Sequence, residues 1–342
     1  MKSTSQSSRQ RERSVHRRRL GQTDIEVSPI GLGCWQFSQG KGITAGLWAV
    51  LDQATIDAVV TAALEGGIDW FDTAEAYGNG QSERALSTAL HDLRVHPSRV
   101  MVATKWLPVP RTAANIPRTI ATRLRCLQGY PIGLYQVHQS WSFSSVGAQM
   151  RAMAQLVRAG KIGAVGVSNF SARQMEQASK ALRAEGLSLA SNQVSISLLD
   201  RRVENNGVLA SARRLGVTLI AYSPLAQGLL TGRFHGHEEL VAALPSWRRS
   251  RLSHTGRAFG RDGLARTLPL VEELRAVGAA HEASPSEVAL AWLITYYGDA
   301  VVAIPGATRP EQARESAAAM DLHLTEDELA RIESISALAA RL

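Results

Sequence analysis

Eight short apolar runs alternate with longer amphipathic segments along most of the chain, and this alternation limits the possible folds more than any other feature. Each run has about five to seven residues rich in Val, Ile, Leu or aromatic side chains. The runs predict strands at about 30–35, 67–72, 99–104, 132–138, 162–167, 189–194, 217–222 and 300–304. The intervening segments predict helices at about 53–66, 82–92, 115–128, 145–159, 171–185, 203–215, 268–281, 285–297 and 309–319.

This order of elements indicates parallel βαβ units, for which two architectures compete. A doubly wound open sheet usually has a glycine-rich fingerprint after its first strand, and Gly31–Gln36 does not supply one. A (β/α)8 barrel needs about 250 residues plus insertions, and the chain has 342. We therefore predict an α/β fold of the (β/α)8 TIM-barrel type.

Three residues stand where they could cap predicted helices. Ser284 is followed by a proline and then by Glu287 in the first turn, which is the expected composition of a helix start. Ser171 and Thr308 precede two other predicted helices in the same way.

Four ionisable residues stand at or just beyond the carboxyl ends of three successive predicted strands: Asp72, Tyr77, Lys105 and His138. In a parallel barrel these strand ends form one rim, where catalytic residues are found. Taken singly, each residue also has an ordinary structural interpretation. The Asp could stabilise a turn, the Tyr could pack in the core, the Lys could be solvated, and the His could be a hydrogen-bonded structural residue. Only their joint placement predicts a catalytic site.

The chemistry of these four groups is that of proton transfer at a carbonyl or alcohol oxygen. A tyrosine hydroxyl has a pKa near ~10, and a nearby ammonium lowers it. A carboxylate keeps the ammonium charged, and a neutral imidazole can orient a carbonyl oxygen. Neither Cys34 nor Cys126 matches a metal-ligand spacing, so no metal site is predicted. A hydride carrier is therefore the natural second reactant.

With these motifs in view, the chain resembles the aldo-keto reductase family, which is NADP(H)-dependent and built on the (β/α)8 barrel. The family pattern Phe-Asp-Thr-Ala-x-x-Tyr-Gly is present as Phe71–Gly78. Ala103–Lys105 and Leu134–His138 match the family's lysine and histidine strands, and Arg18–Gly33 resembles its first hairpin and strand. The segment Ala221–Gly232 looks similar to plastid and bacterial members of broad carbonyl specificity.

The resemblance implies a role for each of the four rim residues. Tyr77 would be the general acid for carbonyl reduction, with Lys105 and Asp72 adjusting its acidity. His138 would orient the carbonyl group.

The resemblance also implies how NADP(H) is bound. Ser168, Asn169 and Gln193 would hold the nicotinamide carboxamide, and Tyr222 would stack on the ring. Ser168 and Asn169 also fit an ordinary helix cap. The full set of implied cofactor-binding residues is Gly33, Cys34, Trp35, Asp72, Ser168, Asn169, Gln193, Tyr222, Ser223, Pro224, Leu225, Gln227, Gly228, Leu230, Arg233, Ile304, Pro305, Gly306, Ala307, Thr308, Arg309, Gln312 and Ser316.

Two departures from the family pattern concern the choice of cofactor. Many members have Lys-Ser at Gly306-Ala307 and Arg at Gln312, so the preference for NADP(H) over NAD(H) is weakened. Arg309 could neutralise a ribose 2′-phosphate, or it could be a solvated residue of the first helical turn.

The substrate wall departs as well, because the chain has Gln139-Ser140-Trp141 where the family often has Trp-Pro after the histidine. The substrate-binding residues implied by the resemblance are Trp35, Tyr77, Trp106, His138 and Trp141. Any of the three tryptophans could instead pack a loop.

The long interval 223–266 is irregular, rich in Gly and Pro, and contains the basic run Arg248–Arg251. Two interpretations stay open: a loop that folds over the active-site mouth, or surface disorder through 236–263.

Positive charge is concentrated at the start of the chain. The net charge is +8, and residues 1–19 carry seven basic residues against one acidic residue. We predict a basic, disordered tail at 1–19, a barrel at 20–335 and a short C-terminal end at 336–342. The tail has no aromatic interleaving, so nucleic-acid binding through it is only an alternative hypothesis.

The remaining expectations follow from the same features. No apolar run approaches the ~18 residues that would span a membrane. We expect a cytoplasmic reductase of a small carbonyl substrate, as a monomer or homo-oligomer. The alternative is a redox-sensing regulatory subunit of the potassium-channel β type, which keeps the same barrel and cofactor but acts by association.

Overall fold

The computed structural model describes residues 16–41, 49–244 and 256–340. The predicted basic run Arg248–Arg251, residues 1–15 of the predicted tail and residues 341–342 of the predicted C-terminal end lie outside the described residues.

Eight parallel strands form one sheet whose neighbours follow chain order. These are β3 (Leu32–Gly33), β4 (Trp70–Asp72), β5 (Met101–Trp106), β6 (Ile132–Val137), β7 (Ala164–Ser168), β8 (Leu189–Ser195), β9 (Thr218–Tyr222) and β10 (Val301–Ile304). Parallel bridges Ile30↔Ala303 and Gly33↔Gly306 join the first strand to the last and close the barrel. The predicted (β/α)8 barrel and all eight predicted strands are therefore confirmed.

Helices cover the outside of the barrel. Those of the described residues are α1 (Gln53–Glu65), α2 (Gln81–Asp92), α3 (Asn115–Cys126), α4 (Val146–Arg158), α5 (Ala172–Arg183), α6 (Val208–Leu215), α7 (Glu238–Ala242), α8 (Arg261–Ala280), α9 (Pro285–Tyr297), α10 (Pro310–Ala318) and α11 (Glu326–Ala339). No helix in the described part of the chain is both long and apolar enough to cross a membrane.

The interior of the barrel is built in layers, because alternate residues of a strand point to the same side. One apolar layer crosses the barrel from strand to strand and consists of Trp70, Ala103, Leu134, Ala164, Ala190, Ile220 and Val302. On β4, β5 and β6, the residue two positions further along faces the same interior, one layer nearer the carboxyl ends. Those residues are polar: Asp72, Lys105 and Gln136.

A short antiparallel hairpin precedes the barrel, formed by β1 (Arg18–Arg19) and β2 (Glu26–Val27). The Arg18 guanidinium is buried and donates to the Ile294 and Gly298 carbonyl oxygens, each at 2.7 Å, and to Val301. These carbonyls lie at and just beyond the carboxyl end of α9, where a cation is favoured. The prediction that the tail extends to residue 19 is therefore wrong for Arg18 and Arg19, which belong to the fold.

Two of the three predicted helix caps are present. Ser284 and Ser171 each form a capping box at the starts of α9 and α5. The prediction for Thr308 is wrong: α10 begins after Arg309, and the Thr308 amide and hydroxyl instead donate to the Gln312 side chain.

The remaining differences concern two helix boundaries and one helix that the sequence analysis does not predict. The helix predicted at 203–215 is α6 and begins only at Val208, because Gly207 precedes it in a left-handed conformation. The helix predicted from 268 is α8 and begins at Arg261, so it continues through Pro269. Helix α11 was not predicted at all, although Thr325 and Glu328 form a capping box at its start.

The irregular interval after β9 is partly structured. A short turn of 3-10 helix covers Ala226–Thr231, and α7 follows. Phe234 packs edge-on against Phe259, with ring centroids 5.2 Å apart, and Arg275 of α8 donates to the Gly232 carbonyl at 2.9 Å. The alternative of surface disorder through 236–263 is therefore contradicted for the described residues of this span, while residues 245–255 lie outside the described part of the chain.

Candidate active site

Three of the four predicted catalytic side chains meet at the carboxyl end of the barrel. The Lys105 ammonium is fully buried and forms an ion pair with Oδ1 of Asp72. It also donates to the Thr73 carbonyl at 2.8 Å and to the Tyr77 hydroxyl at 3.3 Å. The ammonium therefore links the carboxylate of β4 to the phenol on the loop that follows β4.

The second oxygen of Asp72 is held by two amides. Gln136 Nε2 and Gln193 Nε2 donate to Oδ2 at 3.0 and 2.9 Å. Gln136 was not recognised from the sequence. Its position two residues before His138 places it on the interior face of β6, and that spacing is the signal that could have revealed it.

Burial and charge act in opposite directions on the tyrosine. Burial raises the pKa of Tyr77, and the Lys105 ammonium lowers it by less, so the pKa of Tyr77 lies above its ordinary value. Burial lowers the pKa of Lys105, but Asp72 and Tyr77 together raise it by more. The sequence correctly indicated the direction of the lysine's effect on the phenol, but burial dominates. Tyr77 is thus a protonated donor beside a charged lysine.

The fourth residue, His138, is neutral. Burial lowers the pKa of His138 to about 3, and the charge of Lys105 adds to the effect. Its ring meets the Tyr77 ring edge-on, with centroids 5.7 Å apart. Trp35 lies against Tyr77, with centroids 6.0 Å apart. The phenol therefore stands between an imidazole and an indole.

The predicted nicotinamide-binding residues form a connected group beside this cluster. The Tyr222 hydroxyl donates to Oδ1 of Asn169 at 3.0 Å, and Nδ2 of Asn169 donates to the Ser168 hydroxyl at 3.2 Å. The Ser168 hydroxyl donates to the Gln193 carbonyl at 2.9 Å. Gln193 thus joins this group to Asp72.

The loop after β9 contains several residues in the left-handed conformation. Ser223, Ala226, Gln227 and Gly228 all have positive φ, between 48° and 92°. Such left-handed positions are rare for residues with side chains. Two amides of the loop are used in turns, where Ala226 N–H donates to the Ser223 carbonyl and Gly228 N–H to the Leu225 carbonyl, each at 2.9 Å.

Across the barrel opening, two glycines allow close approach of the first and last strands. A Cβ at Gly33 would stand 2.9 Å from the Ile304 carbonyl oxygen, and a Cβ at Gly306 would overlap the Gln36 side chain. Partial burial lowers the pKa of Arg233, and the charge of Arg309 lowers it further, so the two arginines repel each other. An anion between them would relieve their repulsion.

The residues predicted for the adenosine end contact one another. Gln312 Oε1 accepts from the Thr308 amide and hydroxyl at 2.8 and 3.1 Å, and the Ser316 hydroxyl donates to the Gln312 carbonyl at 2.8 Å. The other predicted cofactor residues with little or no exposed surface are Cys34, Pro224, Leu230, Ile304, Pro305 and Ala307. Trp35 and Leu225 are half-buried.

The predicted substrate tryptophans differ in placement. Trp106 has no exposed surface; it points away from the barrel interior, and its Nε1 donates to Asn115 at 3.1 Å. The structure therefore does not place Trp106 on the rim, because it neighbours the inward-facing Lys105 and must point to the other side of β5. Trp141 is 60% exposed and packs against Phe143, which is 63% exposed.

Comparison with known proteins agrees with this architecture. The sequence matches the Aldo/keto reductase family over residues 29–337. It is 39% identical over 303 residues to the uncharacterised oxidoreductase Rv2298 of Mycobacterium tuberculosis, covering 88% of this chain and 86% of that protein. It is 31% identical over 323 residues to the chloroplastic pyridoxal reductase of Arabidopsis thaliana, covering 90% and 83%.

A solved structure is similar over almost the same length. It is the glycerol dehydrogenase AKR11B4 from Gluconobacter oxydans, with a TM-score of 0.80 and 26% identity. The match covers 96% of this chain and 98% of that one.

Proposed function

This chain belongs to the aldo/keto reductase family, and we propose that it reduces aldehydes or ketones to alcohols with NADPH. The observation that carries the proposal is the contact of the Tyr77 hydroxyl with the Lys105 ammonium at 3.3 Å, which is itself paired with Asp72. A phenol in this setting can give a proton to a carbonyl oxygen as negative charge develops there.

Each residue of the cluster has a distinct part in the proposed reaction. Tyr77 donates the proton, and the Lys105 ammonium stabilises the phenolate that remains. Asp72 keeps the ammonium in place. His138 is neutral, so its ring can donate a hydrogen bond to the substrate oxygen without competing as an acid.

A nicotinamide cofactor held beside this cluster would supply the hydride. Ser168, Asn169 and Gln193 would hold its carboxamide, since their hydroxyl and amide groups offer both donors and acceptors. Tyr222 would stack on the nicotinamide ring.

The phosphate groups would be bound by the left-handed loop Ser223–Gly228 and by the two exposed arginines. Arg233 and Arg309 support a preference for NADPH, because a ribose 2′-phosphate would reduce the repulsion between their guanidiniums. The neutral Gly306-Ala307 and Gln312 make no charged contribution to this preference.

One relative is named a pyridoxal reductase and one structural neighbour a glycerol dehydrogenase, so both aromatic aldehydes and small polyols with their ketones are worth testing. The exposed pair Trp141 and Phe143 favours carbonyl compounds with an apolar or aromatic portion.

The test is the variant Tyr77→Phe, assayed by NADPH absorbance with a panel of aldehydes, ketones and sugars. We expect turnover to fall by about 10²-fold or more, while NADPH binding, followed by fluorescence, is retained. Unchanged turnover in this variant would exclude Tyr77 as the acid. Absence of turnover by the wild-type protein with every carbonyl would instead favour the regulatory-subunit hypothesis.

A further inference from the structure

A second cluster of charged side chains lies on the outer side of β5, behind the catalytic group. It consists of two carboxylates and two guanidiniums, those of Glu75, Glu83, Arg111 and Arg123. Arg123 contacts Glu83 at 2.5 Å and approaches Glu75 at 3.9 Å, and Arg111 pairs with Glu75. Glu83 has no exposed surface and Arg123 very little. Nothing in the proposed reaction uses these four residues.

Within this cluster, Glu75 joins the loop that carries Tyr77 to the segment that follows Lys105. Its carboxylate accepts from the Leu107 amide at 2.6 Å, and its own amide donates to the Lys105 carbonyl at 3.3 Å. Glu75 lies two residues before Tyr77, and Leu107 lies two residues after Lys105. One side chain thus spans the two segments whose catalytic groups must meet.

Arg111 completes this connection. Its guanidinium donates to both carboxylate oxygens of Glu75, with the NH1–Oε2 contact at 3.3 Å, and to the Leu107 carbonyl, with the Nε contact at 2.9 Å. The guanidinium also lies over the Trp106 ring, 5.4 Å from its centroid. The Glu75 carboxylate is therefore held in a fixed orientation against β5.

The rear of the cluster is anchored to the scaffold. The Thr104 hydroxyl of β5 donates to Glu83 at 2.6 Å. Glu83 belongs to α2, and its partner Arg123 belongs to α3. Because Thr104 and Lys105 are adjacent on one strand, they face opposite sides of it. Strand β5 therefore supports the catalytic ion pair on one side and the second cluster on the other.

From this geometry we propose that Glu75 is a positioning residue, which sets the distance between the Tyr77 hydroxyl and the Lys105 ammonium by fixing the Tyr77 loop to the end of β5. The inference rests on the proposed function, because it gives Glu75 a role in turnover only if Tyr77 transfers the proton. Glu75 itself touches neither the tyrosine hydroxyl nor the substrate pocket in this arrangement.

Loss of the Glu75 carboxylate has two expected consequences. The Tyr77 loop loses its side-chain link to the end of β5 and keeps only backbone bonds such as that from the Glu75 amide to the Lys105 carbonyl, so the proton donor moves away from the position that suits the substrate oxygen. The phenol also moves away from Lys105, whose charge lowers the pKa of Tyr77, so the pKa of Tyr77 rises further. Since reduction needs the protonated phenol, the alkaline decline of kcat moves to higher pH.

The variant Glu75→Gln tests this inference, because it keeps the size of the side chain and removes its charge. We expect kcat to fall by about ten- to a hundredfold, as a misplacement of about 1 Å would cause. We expect the alkaline decline of kcat to move to higher pH by about half a pH unit or more. The dissociation constant for NADPH should be unchanged. Glu185→Gln is the matched control, because Glu185 pairs with the exposed Arg158 far along the chain from Tyr77.

Two results would overturn the inference: an unchanged kcat, or a lower kcat with an unmoved alkaline limb, which a merely structural role would give. If Glu75→Gln does not fold, Arg111→Gln tests the same contact from the less buried partner, and the same two results decide it. The variant Arg111→Lys, which keeps the positive charge, should retain more activity than Arg111→Gln. Failure of the proposed function is distinguishable, because then Tyr77→Phe leaves turnover unchanged whatever the Glu75 variant does.

Discussion

Gln136 donates a hydrogen bond of 3.0 Å to Oδ2 of Asp72, the oxygen that does not face Lys105. Gln193 donates to the same oxygen at 2.9 Å. Together the two bonds fix the orientation of the carboxylate plane. The Asp72–Lys105 pair is buried, and buried ion pairs are favourable only when such additional hydrogen bonds are made.

We predict that Gln136→Leu lowers kcat by about tenfold, because a hydrogen bond to a buried charged group contributes about 1.5–3 kcal/mol. The affinity for NADPH should change little, since Gln136 is not among the residues proposed to bind the cofactor. Steady-state kinetics and fluorescence titration of NADPH measure the two quantities. Gln149→Leu is the control, as Gln149 is also buried but lies on α4; equal losses in both variants would argue against a specific role.

We predict that His138 makes the fold less stable at acid pH. Its pKa in the folded protein is about 3, below the unfolded value of about 6.5. The unfolded state therefore binds more protons between these values, and stability falls as pH decreases from about 6.5 toward 3. In His138→Asn, the pH dependence of the melting temperature over this window should be shallower than in the wild type. Parallel curves for the two proteins would contradict the predicted titration.

We predict that Arg309→Gln raises KM for NADPH by about tenfold, while KM for NADH changes much less. The reason is that only NADPH carries the 2′-phosphate that a guanidinium can neutralise. Arg314→Gln is a suitable control, because Arg314 is exposed on α10, which begins directly after Arg309, and lies 3.6 Å from Glu311. A similar rise in KM for both cofactors would place Arg309 near the pyrophosphate instead.

We predict that Arg18→Met lowers the free energy of unfolding by about 2–4 kcal/mol, since it leaves buried carbonyls at the end of α9 without their charged donor. Chemical denaturation measures the loss. Arg19→Met provides the comparison, because Arg19 is the exposed neighbour on the same strand. A change of similar size at both positions would mean that hairpin composition, and not the contact with α9, determines stability.

The candidate catalytic group was largely predictable, because strand periodicity and a contiguous motif locate strand ends without knowledge of contacts. Asp72, Lys105 and His138 each stand at a strand end, and parallel strands bring those ends to one rim. The same strand periodicity, applied backward from His138, would have revealed Gln136. Applied to Lys105, the same periodicity predicts that Trp106 faces the outer side of β5 and not the substrate.

The alternation of strands and helices, the barrel and the candidate proton-transfer residues could thus be predicted from the sequence alone, because local patterns of apolar and polar residues indicate them. Only the tertiary structure decided which charges are buried. Arg18 resembled part of a basic tail until its contacts with residues 276 and more positions away were known. The pKa of Tyr77 likewise depends on burial by distant strands, and burial outweighs the neighbouring lysine because desolvation depends on everything that surrounds the group.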